Sequence, residues 1–132
     1  MVFPILTTAY AAVLSLIFAL LSAWVIAGRG RFGVLHGDGG KEQLNRRIRA
    51  QANFAEYVPL ILLLAAFLEA GGARRSTVHA LLLVLTAARI MHPIGMVARE
   101  GALQQFVFRG ASAAATLLVL VVSAVLLLVR LA

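Results

Sequence analysis

Three polar side chains stand within an otherwise apolar stretch, and their types and spacing suit the binding of a small charged molecule. Arg49, Asn53 and Glu56 follow one another at intervals of four and three residues, which places them on one face of an α-helix. Arg46 lies on the same side one turn earlier, and Tyr57 is adjacent to Glu56. The two arginines can donate hydrogen bonds to carboxylates, and Glu56 can accept them from an ammonium group. The complementary ligand is small and zwitterionic, with more than one carboxylate.

The same charges also have a structural interpretation, which their spacing leaves open. Glu56 can pair with Arg49, or with Arg89 from another apolar run, and either pair would neutralise both charges inside the protein. For Arg89, pairing with Glu56 is favoured over a direct part in chemistry. The stripe therefore predicts either a ligand site or an internal ion pair.

The elements that carry this stripe must be membrane helices, because the chain is too apolar for a soluble domain. Of its 132 residues, 62% are hydrophobic and 13% are charged, whereas soluble domains have roughly 45–50% apolar and about 25% charged residues. A small domain buries the smallest fraction of its surface and cannot hide this excess. The net charge of +7 then favours anionic lipid headgroups or an anionic ligand, and we expect no nucleic acid partner.

Four continuous apolar runs predict four transmembrane helices, at about residues 3–27, 46–70, 75–97 and 106–130. Each is long enough for the ~20 residues that a membrane-spanning helix needs. The runs do not alternate between apolar and polar residues, which excludes a β-barrel. We therefore expect an all-α, four-helix transmembrane bundle that forms a single domain over residues 1–132. Ionisable residues inside such a span are costly and indicate a functional site.

Basic residues are distributed unequally between the two ends of the predicted bundle. Loops one and three and their helix edges hold eight of them, against three at the opposite end, which are Arg74, Arg75 and Arg130. The positive-inside rule then places loops one and three in the cytoplasm and both termini on the opposite side of the inner membrane.

The second span resembles the signature of a known family, the membrane-associated proteins in eicosanoid and glutathione metabolism (MAPEG). The segment RAQANFAEYVPLILLLAAF begins at Arg49, and the family pattern Arg-Ala-Gln-x-Asn-x-x-Glu-Tyr-x-Pro stands here as Arg49, Ala50, Gln51, Asn53, Glu56, Tyr57 and Pro59. The segments ARIMHPIG and FRGAS are similar to the bacterial branch of the family. The resemblance extends over essentially the whole chain.

The resemblance implies a homotrimer with glutathione, the co-substrate, bound between neighbouring subunits near the cytoplasmic side. Carried over by position, Arg49, Asn53, Glu56 and Tyr57 would contact glutathione. Glu56 would meet the γ-glutamyl ammonium, and Arg49 and Asn53 would hold carboxylate and peptide groups.

Further ligand and catalytic candidates follow from the same resemblance. Arg46, Arg89 and His92 complete the predicted glutathione-binding set. In the leukotriene-forming synthases, third-span tyrosines help to hold glutathione, and His92 and Met96 stand at those positions here. The cation that would stabilise the thiolate has three candidates, which are Arg31, Arg99 and Arg109.

The absence of cysteine means that any thiol must arrive with a ligand. His36 and Asp38 are too few to indicate a metal, and we expect none.

The sequence leaves two functions open, beside a structural bundle whose ionisable residues only fix the helix register, which the intact set of Arg49, Asn53 and Glu56 disfavours. The first is a glutathione-dependent membrane enzyme that conjugates or reduces lipophilic electrophiles entering from the bilayer. The second is a non-catalytic lipid-binding or scaffolding protein like the lipoxygenase-activating protein of the family. Further copies of the chain, lipids and lipophilic small molecules are the partners that we expect.

Overall fold

The computed structural model describes residues 3–98 and 101–131 of the chain, and within them the fold is entirely helical. Four long helices follow one another: α1 (Ile5–Phe32), α2 (Glu42–Ala70), α3 (Arg75–Val97) and α4 (Ser112–Leu131). A single helical turn (Leu103–Gln105) and a π-helical segment (Phe106–Ala111) lead into α4 without a break. All four are long and apolar enough to cross a membrane. The predicted all-α fold with four transmembrane helices is confirmed, and the protein is a multi-pass membrane protein.

The first two helices extend beyond the apolar runs that the sequence marks. The first continues through Arg29 to Phe32 and ends at Gly33, whose φ of 64° is left-handed and favours glycine. The second begins at Glu42, ahead of its arginines. Helical hydrogen bonds form within the segment itself, so a helix need not stop where its side chains become polar. The basic residues on either side of loop one therefore lie on ordered helix ends.

The α2–α3 hairpin forms the middle of the bundle. The first helix packs across this hairpin on one side and α4 packs across it on the other, and α1 and α4 do not touch within the described residues. The shared core consists of buried apolar side chains, which are Leu14, Leu21, Phe54, Val58, Ile61, Ala65, Leu68, Val78, Leu82, Leu85 and Val119. The outward faces remain apolar, as contact with acyl chains requires.

Loops one and three lie at the same end of the bundle. The guanidinium of Arg46, near the start of α2, donates a hydrogen bond of 3.1 Å to the carbonyl of Ala98 at the end of α3. Near the opposite end of the bundle, Arg130 of α4 donates to the carbonyl of Gly71 in the α2–α3 turn at 3.0 Å.

Glu69 connects the end of α2 to the start of α1. Its carboxylate accepts hydrogen bonds from the backbone N–H groups of Leu6 at 2.8 Å and Thr7 at 2.7 Å, and from the Thr7 hydroxyl at 2.6 Å. The first N–H groups of a helix have no partner within it, and a carboxylate from another helix supplies one here. The sequence analysis missed this contact because it joins residues that are 62 and 63 positions apart.

The third-span and FRGAS motifs are in direct contact. Gly95 of α3 lies against the backbone of Phe108 and Arg109, and a Cβ at Gly95 would stand 2.4 Å from the Arg109 nitrogen. A glycine is therefore required where α3 meets the π-helical segment.

We predict that Gly95→Ala lowers the thermal stability of the protein in detergent, by an overpacking cost of about 1–3 kcal/mol. The matched control is Gly110→Ala in the π-helical segment, where a Cβ meets no atom within 4 Å. The two melting temperatures are compared by circular dichroism. Equal melting temperatures would show that the approach of α3 to this segment is not close.

Candidate functional site

The polar stripe on α2 divides into an inner and an outer part. Arg46, Asn53 and Tyr57 are half-buried, whereas Arg49 and Glu56 are exposed on the side of the subunit. A step of three residues turns an α-helix by about 300°, so Arg49 and Glu56 each lie about 60° from their inner neighbours. The stripe therefore presents some of its polar side chains to the interior of the bundle and others to the molecules around the bundle.

Arg89 of α3 joins the inner part of the stripe to α4. The residue is 1% exposed, and its Nη1 donates to the Asn53 Oδ1 at 2.7 Å. Its Nη2 donates to the Thr116 Oγ1 at 2.5 Å and to the Ser112 carbonyl at 3.4 Å. The predicted pairing of Arg89 with Glu56 is wrong, because Asn53 is turned towards α3 and Glu56 is exposed.

The bond from Arg89 orients the side chain of Asn53. Its amide oxygen faces the guanidinium, so the amide NH₂ group is turned away from Arg89 and remains as a donor. The hydroxyl of Tyr57 is close enough to Arg89 for electrostatic interaction. Asn53 is therefore suited to bind an acceptor, such as a carboxylate or a peptide carbonyl.

The third-span positions that correspond to tyrosines in the synthases lie inside the subunit. His92 is 5% exposed and Met96 is 8% exposed. Arg89 lies one turn before His92 on α3, and Arg109, although exposed, has its backbone against Gly95, one turn after His92. Neither third-span side chain extends from the side of the bundle.

The other predicted arginines are placed separately. Arg31 is exposed at the end of α1, with its guanidinium 5.8 Å from the centre of the Phe32 ring. Arg46 forms a short salt bridge with Glu42 in addition to its bond to α3. Arg99 lies outside the described residues. Of the two candidates for thiolate stabilisation that are described, Arg109 has its backbone against Gly95 of α3, one turn from the buried His92.

An apolar groove lies between α1 and α2 at the level of Glu56, which stands at the midpoint of α2. The groove has a volume of about 260 Å³, and neither Arg49 nor Glu56 lines it. Its lining includes Leu14, Phe18, Phe54, Val58, Pro59 and Leu62. An ionised carboxylate at this depth is costly against acyl chains. The outer face is therefore one that a polar partner or ligand would cover.

The family profile of the MAPEG family matches residues 7–129. This chain belongs to the MAPEG family. It is similar to the inner membrane protein YecN of Escherichia coli K12, with 37% identity over 86 residues. The matched region covers 65% of this chain and 66% of YecN, so the chain spans slightly less than two thirds of that relative. The YecN of E. coli O6:H1 is similar to the same extent. No solved structure matches at a significant level.

This MAPEG chain holds its buried arginine with two residues that the sequence analysis did not assign to the site. Ser112 and Thr116 lie four residues apart in the apolar α4 run and are both 2% exposed. Two hydroxyl residues at that spacing share a helix face, which is the signal that could have identified them. Within the described residues, the Nε–H group of Arg89 has no hydrogen-bond acceptor.

We predict that Thr116→Val lowers the free energy of unfolding by about 1–3 kcal/mol, because it removes an acceptor from a buried guanidinium. Thr86→Val is the matched control. Both hydroxyls bond the carbonyl four residues earlier at 2.8 Å, but Arg89 contacts only that of Thr116 among the described residues. Thermal unfolding in detergent measures both variants. A loss of the same size in the control would mean that the Arg89 contact contributes nothing.

Proposed function

We propose that the protein is a glutathione-dependent membrane enzyme that conjugates or reduces lipophilic electrophiles at a site between the subunits of a homotrimer. The observation that carries this proposal is that Arg49 and Glu56 are both exposed on one side of a membrane helix. Charged groups in such a position need a polar cover, and a ligand bound between two copies of the chain would supply it.

The chemistry of this face complements glutathione. Glu56 would accept hydrogen bonds from the γ-glutamyl ammonium, and Arg49 would donate to a carboxylate. The Asn53 NH₂ group, oriented by Arg89, would donate to a carboxylate or peptide carbonyl, and Tyr57 would add a hydroxyl. In this arrangement, Arg89 is a positioning residue that acts through Asn53.

The reaction would begin with loss of the thiol proton of glutathione to solvent. In conjugation, the sulfur would form a bond to the electrophilic carbon. In a substitution that carbon would lose its leaving group together with the bonding electrons, and in an addition its π electrons would move to the neighbouring atom, which takes up a proton from solvent. Arg109 is favoured over Arg31 as the cation that stabilises the thiolate, because its backbone lies against Gly95 of α3, one turn from the buried His92. Arg99 stays a candidate. The groove between α1 and α2 would admit the lipophilic substrate from the bilayer.

A non-catalytic, lipid-binding function is the second candidate, and the burial of the third span favours it. His92 and Met96, which stand at the positions of the synthase tyrosines by the resemblance, have no hydroxyl to offer the sulfur, and both are buried. Turnover of an activated aryl halide with glutathione would distinguish the two candidates, since only an enzyme forms the thioether faster than the uncatalysed reaction.

We predict that Glu56→Gln weakens glutathione binding by about 10- to 150-fold. The substitution keeps the shape of the side chain but removes the charge from a hydrogen bond worth roughly 1.5–3 kcal/mol. Isothermal titration of the detergent-purified protein with glutathione measures the affinity. Unchanged affinity in the variant would contradict the ligand role of Glu56.

The matched control for this experiment is Glu69→Gln, since Glu69 lies on the same helix but bonds the start of α1. We expect this control to lower the melting temperature and leave the affinity unchanged. Native mass spectrometry should show trimers for the wild type and both variants. A monomeric wild type in lipid-retaining conditions would contradict a site between subunits.

We also propose that loops one and three face the cytoplasm, as their excess of basic residues favours. Because the chain lacks cysteine, single cysteines report the topology without background. We expect Leu35→Cys in loop one and Ala102→Cys in loop three to resist an impermeant thiol reagent in intact cells. Ser76→Cys, exposed near the opposite end, should react. The reverse pattern would invert the topology.

A further inference from the structure

A cleft with a polar and an apolar compartment lies along α1. Its lining includes Arg46 of the predicted glutathione-binding set but neither Arg49 nor Glu56. The polar compartment has a volume of about 460 Å³ and is bounded by the end of α1, the start of α2 and the end of α3. The apolar compartment has a volume of about 340 Å³ and lies between α1 and α3. Trp24 and Val97 line both compartments, so the two adjoin each other.

The described lining of the polar compartment is basic. It contains Arg46, Arg47 and Glu42 as its charged residues, so two guanidinium groups stand against one carboxylate there. Glu42 is paired with Arg46. This balance favours an anionic group in the compartment.

Arg47 is held at the junction with α1. Its guanidinium lies 4.9 Å from the centre of the Trp24 ring, and its Nη1 donates to the Trp24 carbonyl at 3.1 Å. Gly28 makes room for it, since a Cβ there would stand 3.1 Å from the same nitrogen. A guanidinium has five N–H donors in a fixed plane, and this bond uses one of them.

The apolar compartment runs from this junction into the membrane-spanning part of the bundle. Apart from the two shared residues, it is lined by Ile17, Leu20, Leu21, Pro93 and Ile94. Trp24 is an aromatic residue of the kind that marks the membrane–water interface. The cleft therefore changes from basic to apolar at the level where a lipid changes from phosphate to acyl chain.

We infer that this cleft is a binding site for an anionic glycerophospholipid, with the phosphate beside Arg47 and one acyl chain along the apolar compartment. Charge complementarity selects the headgroup, and the position of the two compartments next to each other selects a molecule that carries an anion and a hydrocarbon chain together. A free phosphate lacks the chain, and a zwitterionic lipid lacks the net charge. The inference does not depend on the proposed enzymatic function.

The headgroup is tested by native mass spectrometry of the detergent-purified protein, incubated with equal amounts of dioleoyl phosphatidylglycerol and dioleoyl phosphatidylcholine. We expect the protein to retain phosphatidylglycerol preferentially. Arg47→Gln should reduce that retention by about tenfold or more, since hydrogen bonds to charged groups are among the stronger ones. The control Arg31→Gln, exposed near the same end of the bundle, should leave it unchanged.

The chain compartment is tested by a second pair of variants, which also covers the case in which Arg47→Gln fails to fold. Ile94→Trp fills the apolar compartment, whereas Ile90→Trp, one turn earlier and similarly exposed (52% against 51%), does not line it. We expect only Ile94→Trp to reduce the retention of phosphatidylglycerol. Glycerol 3-phosphate at the same concentration as the lipid should not displace it.

Three results would each overturn the inference. Equal retention of both lipids by the wild type would show that the cleft does not select the headgroup. Equal losses for Arg47→Gln and Arg31→Gln would show that retention depends on general surface charge. Equal effects of the two tryptophan variants, or displacement by glycerol 3-phosphate, would remove the acyl-chain site.

Discussion

A buried guanidinium inside a membrane bundle is the constraint on which the candidate site depends. Arg89 is almost fully enclosed, and within a bilayer its N–H groups have no water to bond. Its two Nη groups bond neutral oxygens of Asn53 on α2 and of Ser112 and Thr116 on α4. Three helices are thus held together at one point, and a rotation of α2 or of α4 would remove the acceptors that this helix supplies.

The same interaction explains how one helix serves both the fold and the site. Asn53 is turned inward by Arg89, and the helical repeat then turns Arg49 and Glu56 outward. An ion pair between Arg89 and Glu56 would have neutralised the stripe within one subunit. Because a neutral amide takes that place, the outward charges are available to a ligand or to another copy of the chain.

The two ends of the bundle are held by different means. Near one end, the Glu69 carboxylate on α2 caps α1, which replaces a local cap by a contact between helices. Near the other, Gly95 allows α3 to approach the π-helical segment. The polar compartment of the cleft along α1 also lies towards this second end. The anionic ligands that we propose would therefore bind where the positive charge of loops one and three is concentrated.

The sequence alone determined the membrane-spanning class, the four helices and the face of α2 that carries the polar stripe, because hydropathy and helical spacing are local properties. The motif of the second span also indicated the MAPEG family. The partner of Arg89 was not readable, since Asn53 and Glu56 lie close together on the helix and differ by about 60° in direction. Likewise, the contacts of Glu69 with α1 and of Gly95 with Arg109 join separate helices. The rotation and offset of the helices against one another decide which of several polar neighbours a buried charge contacts. Only tertiary packing sets this rotation and offset.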